Sequence, residues 1–253
     1  MEPRGLMGGF YRISEWIMRL AVTNVLWIVC SIPFMFSAFV SLFAQDKNQL
    51  YSTLLVAAVT APFTLFPATA AMFTVARKWV MGEADVPLLK TFFRGYKENY
   101  KQSMLGGLLY TVILVILLVD FVVYRNQINN IVSYIFVAFL VLVMISVFNF
   151  FSMIVHYHMK TFQLVKNALL ITIGRPLRSI SMVVMNGVVI FISTKFTFLI
   201  PFFAGSIIAY LSFWSFHLIY QKLQEQSEKA KENAGEEEEF PELTDSSSDH
   251  NKS

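Results

Sequence analysis

Six long apolar runs alternate with polar segments along these 253 residues, and the basic residues fall on every second polar segment. Arg4, Arg12 and Arg19 precede or open the first run. Arg77, Lys78, Lys90, Arg94, Lys97 and Lys101 lie between the second and third. Lys160, Lys166, Arg175 and Arg178 lie between the fourth and fifth, and Lys222, Lys229, Lys231 and Lys252 follow the sixth. Of the 20 Lys and Arg, only Lys47, Arg125 and Lys195 occupy the segments between these. Segments retained in the cytoplasm accumulate Lys and Arg in this way. The pattern predicts an all-α polytopic membrane protein of about six transmembrane helices, N-in and C-in.

Composition agrees with that class. The chain is 56% hydrophobic and 15% charged, whereas a soluble domain is about a quarter charged. Spans of about 20 residues leave room only for short loops and one tail. The expected organisation is a single membrane domain over residues 1–222 and a cytoplasmic, acidic, disordered tail over 223–253. Basic residues at span ends imply contact with anionic headgroups rather than with nucleic acid. Cys30 is the single cysteine, so no internal disulfide forms. Val29 stands before it where a lipoprotein signal needs a small residue, and Cys30 reads as structural. The first apolar run has no small-residue cleavage site behind it and is expected to remain as a span.

The spans are expected near residues 20–44, 52–76, 103–124, 131–155, 179–193 and 196–220. Pro33 falls inside the first, and Pro62 and Pro67 inside the second; each removes a backbone donor and tends to kink a helix. A turn at Thr194 and Lys195 separates the fifth span from the sixth, with a re-entrant hairpin as the alternative. Three stretches outside the spans are amphipathic. Residues 9–20 place Phe10, Ile13, Trp16, Ile17 and Leu20 on one face, as an interfacial helix would. Residues 87–101 place Leu88, Leu89, Phe92, Phe93, Tyr96 and Tyr100 opposite Lys90, Arg94, Lys97, Glu98 and Lys101. Residues 158–173 carry a narrower polar stripe and end at Gly174 and Pro176, a glycine stop followed by proline. From Gly235 onward the acidic, low-complexity sequence is expected to be disordered.

Several stretches resemble the YesL family of bacterial membrane proteins. GGFYRISEWIMRLAVTNVLW carries Asn24 and Trp27. FPATAAMFTVARKWVMGE carries Pro67, Ala68, Thr69, Arg77, Lys78, Trp79 and Gly82. VPLLKTFFRGYKENYKQS carries Lys90, Phe92, Lys97 and Asn99, and the later KNALL and RPLRS elements begin at Lys166 and Arg175. The resemblance implies a polytopic protein of the cell membrane of a Gram-positive, Bacillus-like bacterium. It also implies a part in carbohydrate uptake, because genes of this family often lie beside genes for polysaccharide import and breakdown. It brings no catalytic residues and no cofactor.

The residues themselves point away from catalysis. There is no H-E-x-x-H, G-x-S-x-G or P-loop pattern. Asp120 is the one acidic group within a span and falls near its outer end, beside Arg125; a proton relay needs acids near the midplane. His156 and His158 are two residues apart, on different helix faces, and His217 stands alone, so no metal pair is expected. Asn24, Thr60, Thr64, Thr69, Asn149 and Asn186 are polar groups inside spans. They read as interhelical hydrogen-bonding groups or, alternatively, as the lining of a sugar site. The function expected is that of a non-enzymatic accessory or interaction component linked to oligosaccharide uptake, alternatively a small-solute transporter in its own right. The expected partners are the lipid bilayer and subunits of a carbohydrate ABC importer or another membrane protein. Residues 87–101 and 158–173 have the length and place of the short helices that importer permeases project into their ATPase, although the E-A-A…G pattern is missing.

Overall fold

The structure, a computed structural model, describes residues 6–127 and 130–239. Among them every regular element is helical. In chain order these are α1 (Leu6–Cys30), α2 (Ile32–Ser41), α3 (Lys47–Thr60), α4 (Leu65–Val80), α5 (Leu88–Gln127), α6 (Asn130–Ile154), α7 (Thr161–Gly174), α8 (Pro176–Lys195), a π-helical turn (Ile200–Ala204) and α9 (Gly205–Glu239). Five of the helices are long and apolar enough to cross a membrane, and α3 with α4, bent by 53°, makes a sixth as one broken span. One compact unit ends at Phe216 and a second begins at His217.

The first span is Gly9–Cys30 instead of residues 20–44, with α2 a short apolar helix after it, and the second is broken between α3 and α4. α1 stops at Ser31, whose hydroxyl donates to the Trp27 carbonyl at 2.5 Å, and Pro33 sits in the first turn of α2. α3 stops before residues 61–64, where Pro62 interrupts the backbone ladder and the Phe66 amide reaches back to Ala61 at 3.0 Å. α2 packs on α3 and α1 on α4, so each broken helix pairs half for half with the other. Pro67 does not kink. It lies in the first turn of α4, where the missing N–H has no intrahelical partner to lose.

The core lies around α4. Ala68, Ala70, Ala71 and Val75 are wholly buried, and small side chains let neighbouring backbones approach closely. Phe66 and Phe73 of α4 meet Phe92 and Tyr110 of α5, Phe150 and Phe151 of α6, Leu164 of α7 and Phe213 of α9 in one cluster. Phe66, Tyr110, Phe150 and Phe151 form successive ring contacts at 5.3–6.5 Å. α5 fits because Gly106 and Gly107 carry no side chain. A Cβ on Gly106 would overlap the Phe150 ring, and one on Gly107 would lie 2.7 Å from the Phe66 ring.

Four expectations about boundaries need correction. Residues 9–20 are not a separate interfacial helix; α1 passes through them unbroken to Cys30. Residues 87–101 are not a separate amphipathic helix either. They are the first turns of α5, a continuous helix of 40 residues, because nothing between Lys101 and Met104 terminates a helix. The fifth span is longer than expected, over Pro176–Lys195. The sixth begins with the π-helical turn and runs on as α9 to Glu239, so Gly235–Glu239 are helical; residues 240–253 of the acidic tail lie outside the described residues. The helix before Gly174 exists as expected, shifted to Thr161–Gly174. Leu164, Val165, Ala168 and Thr172 bury its inner stripe, and its main packing partner is α6.

Candidate functional site

The residues of the family pattern lie on α1, on α4 with the turn after it, and on the first turns of α5. Asn24 of α1 is fully buried beside the π-helical turn, where Pro201 and the wider helical pitch free backbone groups. Its Nδ2 donates to the Ile200 carbonyl at 3.0 Å and the Pro201 carbonyl at 2.7 Å, and its Oδ1 accepts from the Ser206 amide at 3.0 Å. In a membrane core these groups have no water to turn to. Gly205 makes room: a Cβ there would lie 2.7 Å from Asn24 Oδ1. One turn on, Trp27 Nε1 donates to Thr69 Oγ1 at 3.0 Å, and the Thr69 hydroxyl donates to the Leu65 carbonyl at 2.7 Å. Asn24, Trp27 and Thr69 thereby fasten α1 to the π-helical turn and to α4.

The end of α4 is a built terminus. Gly82 has φ of 86°, the left-handed region that favours glycine. Its amide bonds to the Trp79 carbonyl and the Glu83 amide to Lys78 at 2.9 Å, the paired bonds of a Schellman stop. Lys78 Nζ also reaches Glu83 at 2.6 Å. Trp79 is buried with its ring edge on Trp16 at 5.6 Å, and Trp16 meets Tyr210 at 6.1 Å. Arg19, nearly buried, is paired with Glu15 on its own helix and with Asp85 of the loop after α4. Arg77 is half-buried, and its Nε has no hydrogen-bond partner among the described residues, as is true of Trp79 Nε1. Pro67 and Ala68 are buried packing residues of α4.

The first turns of α5 have a buried face and a free one. Phe92 is fully buried. Asn99 Nδ2 donates to the Gly95 carbonyl at 3.0 Å and leans on Thr74 Oγ1 at 3.4 Å. Gly95 presses on the same threonine, which would stand 2.5 Å from a Cβ at that position. Lys90 and Lys97 lie on the outer face with Leu89, Phe93, Arg94 and Glu98, which line an open groove of about 650 Å³. Arg94 Nε is bonded to Glu98 at 2.8 Å.

The remaining polar groups of the spans serve packing. Asn149 Nδ2 donates to Thr172 Oγ1 at 3.0 Å, joining α6 to α7, and Asn186 Nδ2 donates to Ser212 Oγ at 2.9 Å, joining α8 to α9. Thr60 and Thr64 turn back on their own helical carbonyls at 2.9 Å. Arg125 lies over the Phe121 ring at 5.8 Å rather than on Asp120. The His156 ring stands edge-on to Tyr157 at 4.9 Å, and Cys30 is a half-buried free thiol. Among the described residues no three His, Cys, Asp or Glu side chains are grouped as a metal site would require. Sequence reasoning missed Tyr110 and Ser146, whose hydroxyls meet at 2.7 Å, and it missed Ser206 and Pro201. A proline near the start of an apolar run was the one available signal for the π-helical turn.

The family described as protein of unknown function, DUF624, matches residues 20–121, the stretch that holds Asn24, Trp27, all of α4 and the charged face of α5. The uncharacterised protein YteU of Bacillus subtilis strain 168 is 32% identical over 212 residues, covering 83% of this chain and 84% of its own. YesL of the same strain is 29% identical over 227 residues, covering 88% and 95%, and YesV is 30% identical over 190 residues, covering 74% and 86%. No solved structure matches the chain. The chain belongs to the YesL-like DUF624 family.

Proposed function

We propose that this protein is a non-catalytic accessory component of a carbohydrate-uptake system in the cell membrane, with its basic segments and both termini in the cytoplasm. The observation that carries the reading is how the family-pattern residues are used. Asn24, Trp27, Thr69, Gly82, Phe92 and Asn99 are spent on holding helices together. Lys90 and Lys97 stand exposed on a helix face that the fold itself does not need. A scaffold that presents charge is what an interaction protein requires. The link to carbohydrate rests on the YesL resemblance and its gene neighbours. Affinity purification of the tagged full chain from its own membranes, after growth on a polysaccharide, is expected to bring down importer permease or ATPase subunits. Recovery of the chain with lipid alone would refute the reading.

A second reading, a transporter of a small solute, has one observation in its favour. Two apolar runs are interrupted, at Ser31 and at Pro62, and the last opens on a π-helical turn; discontinuous helices form the substrate sites of many secondary transporters. Uptake of an oligosaccharide by proteoliposomes holding this protein alone is the expected result on that reading. Equal retention by empty liposomes for a panel of sugars would count against it.

A further inference from the structure

We infer that the free face of the first turns of α5 is a docking rail for an acidic amphipathic helix of a partner protein. The inference rests on the accessory reading above and deepens it by naming the surface and the chemistry of the partner.

Lys90, Arg94, Lys97 and Lys101 follow one another at spacings of four, three and four, which keeps them on one side of a helix. Leu89 and Phe93 run beside them, 58% and 45% exposed, and the groove over this face is lined by both kinds of residue. Glu98 is held by Arg94 at 2.8 Å. Lys90, Lys97 and Lys101 have no ion-pair partner among the described residues. The rail is therefore a cationic strip beside an apolar one, on a helix whose other side is fixed by Phe92 and Asn99.

Height above the bilayer separates a protein occupant from a lipid. α5 is one unbroken helix, and its charge-free apolar stretch begins near Ser103. At 1.5 Å per residue, Lys101 stands about 3 Å beyond Ser103, Lys97 about 9 Å, Arg94 about 13 Å and Lys90 about 20 Å. The polar layer of a bilayer adds only about 5–8 Å on each side of the hydrocarbon. Even a helix tilted by about 40° leaves Lys90 roughly 15 Å out. Headgroups thus reach Lys101, Lys97 and, in a tilted helix, the end of the Arg94 side chain, but not Lys90 or Leu89, and the Phe93 backbone stays clear of them. Leu89 and Phe93, exposed beside the cations and held clear of the bilayer, suit the apolar side of a protein partner. Carboxylates spaced four and three apart on a second helix would meet the cations in register, with that helix's apolar residues on Leu89 and Phe93.

The test uses the full chain in nanodiscs of phosphatidylcholine. The probe is a helical peptide of about three heptads with glutamates at the spacing of the rail and leucines beside them. A peptide of equal composition and scrambled order is the control. The expected result is salt-sensitive binding at least about tenfold tighter for the ordered peptide. It is lost in Lys90→Glu/Lys97→Glu and regained on that variant by a peptide with lysines in place of the glutamates. Equal binding of the scrambled peptide, or unchanged binding by the variant, overturns the rail. These positions are exposed, and an unchanged melting temperature of the variant separates lost docking from lost folding. In cells that produce the protein, a photo-crosslinking residue in place of Phe93 is expected to capture a protein segment carrying the acidic spacing. A phospholipid adduct, a captured segment without acidic residues, or no adduct overturns it. Importer subunits that still co-purify with Lys90→Glu/Lys97→Glu would leave the accessory reading intact and remove the rail alone.

Discussion

Replacing Asn24 with alanine tests the join between α1 and the π-helical turn most directly. The side chain satisfies three backbone groups: the part-buried carbonyls of Ile200 and Pro201 and the buried amide of Ser206. In membrane proteins an interhelical hydrogen bond contributes about 0.6 kcal/mol on average and up to about 1.7, and a buried group left without a partner costs about 1–3 kcal/mol. Three groups together put the loss at about 2–4 kcal/mol. Asn24→Asp is the sharper variant. It keeps the acceptor for Ser206 but sets a carboxylate oxygen against two carbonyl oxygens, so it should be worse than alanine although it is nearly the same size. The assay is denaturant-dependent unfolding in detergent, followed by tryptophan fluorescence and by the monodisperse fraction on size exclusion. The predicted order is wild type, then Asn24→Ala, then Asn24→Asp. An aspartate variant as stable as wild type would refute the reasoning, because even a protonated carboxyl offers one donor where the amide offers two.

Gly106→Ala is expected to lose about 1–3 kcal/mol by overpacking, since a Cβ there overlaps the distal atoms of Phe150. Phe150→Leu in the same chain should return part of that loss, and an additive double mutant would contradict the contact. Gly82→Ala should cost about 1 kcal/mol from backbone strain alone, because nothing lies within 4 Å of a Cβ at that position; Gly82→Asn, which tolerates the left-handed region, should cost less. Trp27→Phe removes the single bond to Thr69 and should cost about 0.5–1.5 kcal/mol, clearly less than Asn24→Ala in the same assay. For orientation, a Cys30→Ser background with cysteine at Lys90 should react with a membrane-impermeant maleimide only after permeabilisation, whereas cysteine at Gln49 should react on intact cells. The opposite pattern would invert the topology.

What the sequence discloses here is local, and what it conceals is pairing. Pro33 and Pro62 announced the interruptions of the first two apolar runs, because a missing donor acts within one turn; Pro176 announced the end of α7, whereas Gly174 stays helical and the chain turns at Arg175 instead of at a left-handed glycine. Pro67 was misleading, since the same chemistry is harmless in a first turn and its position relative to the helix start decides. The amphipathic stretch over residues 87–101 was correct as a pattern and wrong as an element. Periodicity shows which face is polar but cannot show that a helix continues into lipid. Asn24 stood out through its family pattern and as an amide inside an apolar span. Its partners lie 176 to 182 residues away, and no local rule connects an asparagine in one helix with a proline in another. The groups at Tyr110 and Ser146 escaped for the same reason.

The uninterrupted course of α5 ties what happens at its tip to what happens in lipid. Elsewhere the helices break, at Ser31 and at residues 61–64. α5 has no break over 40 residues, about 60 Å of rod. A load applied near Lys90 has no joint in which to dissipate, and it arrives at Tyr110 and at the glycines that Phe66 and Phe150 ride on. The exposed cations at Lys90 and Lys97 and the tightest glycine contacts of the core therefore belong to one continuous helix, so a displacement at its start is a displacement of that packing.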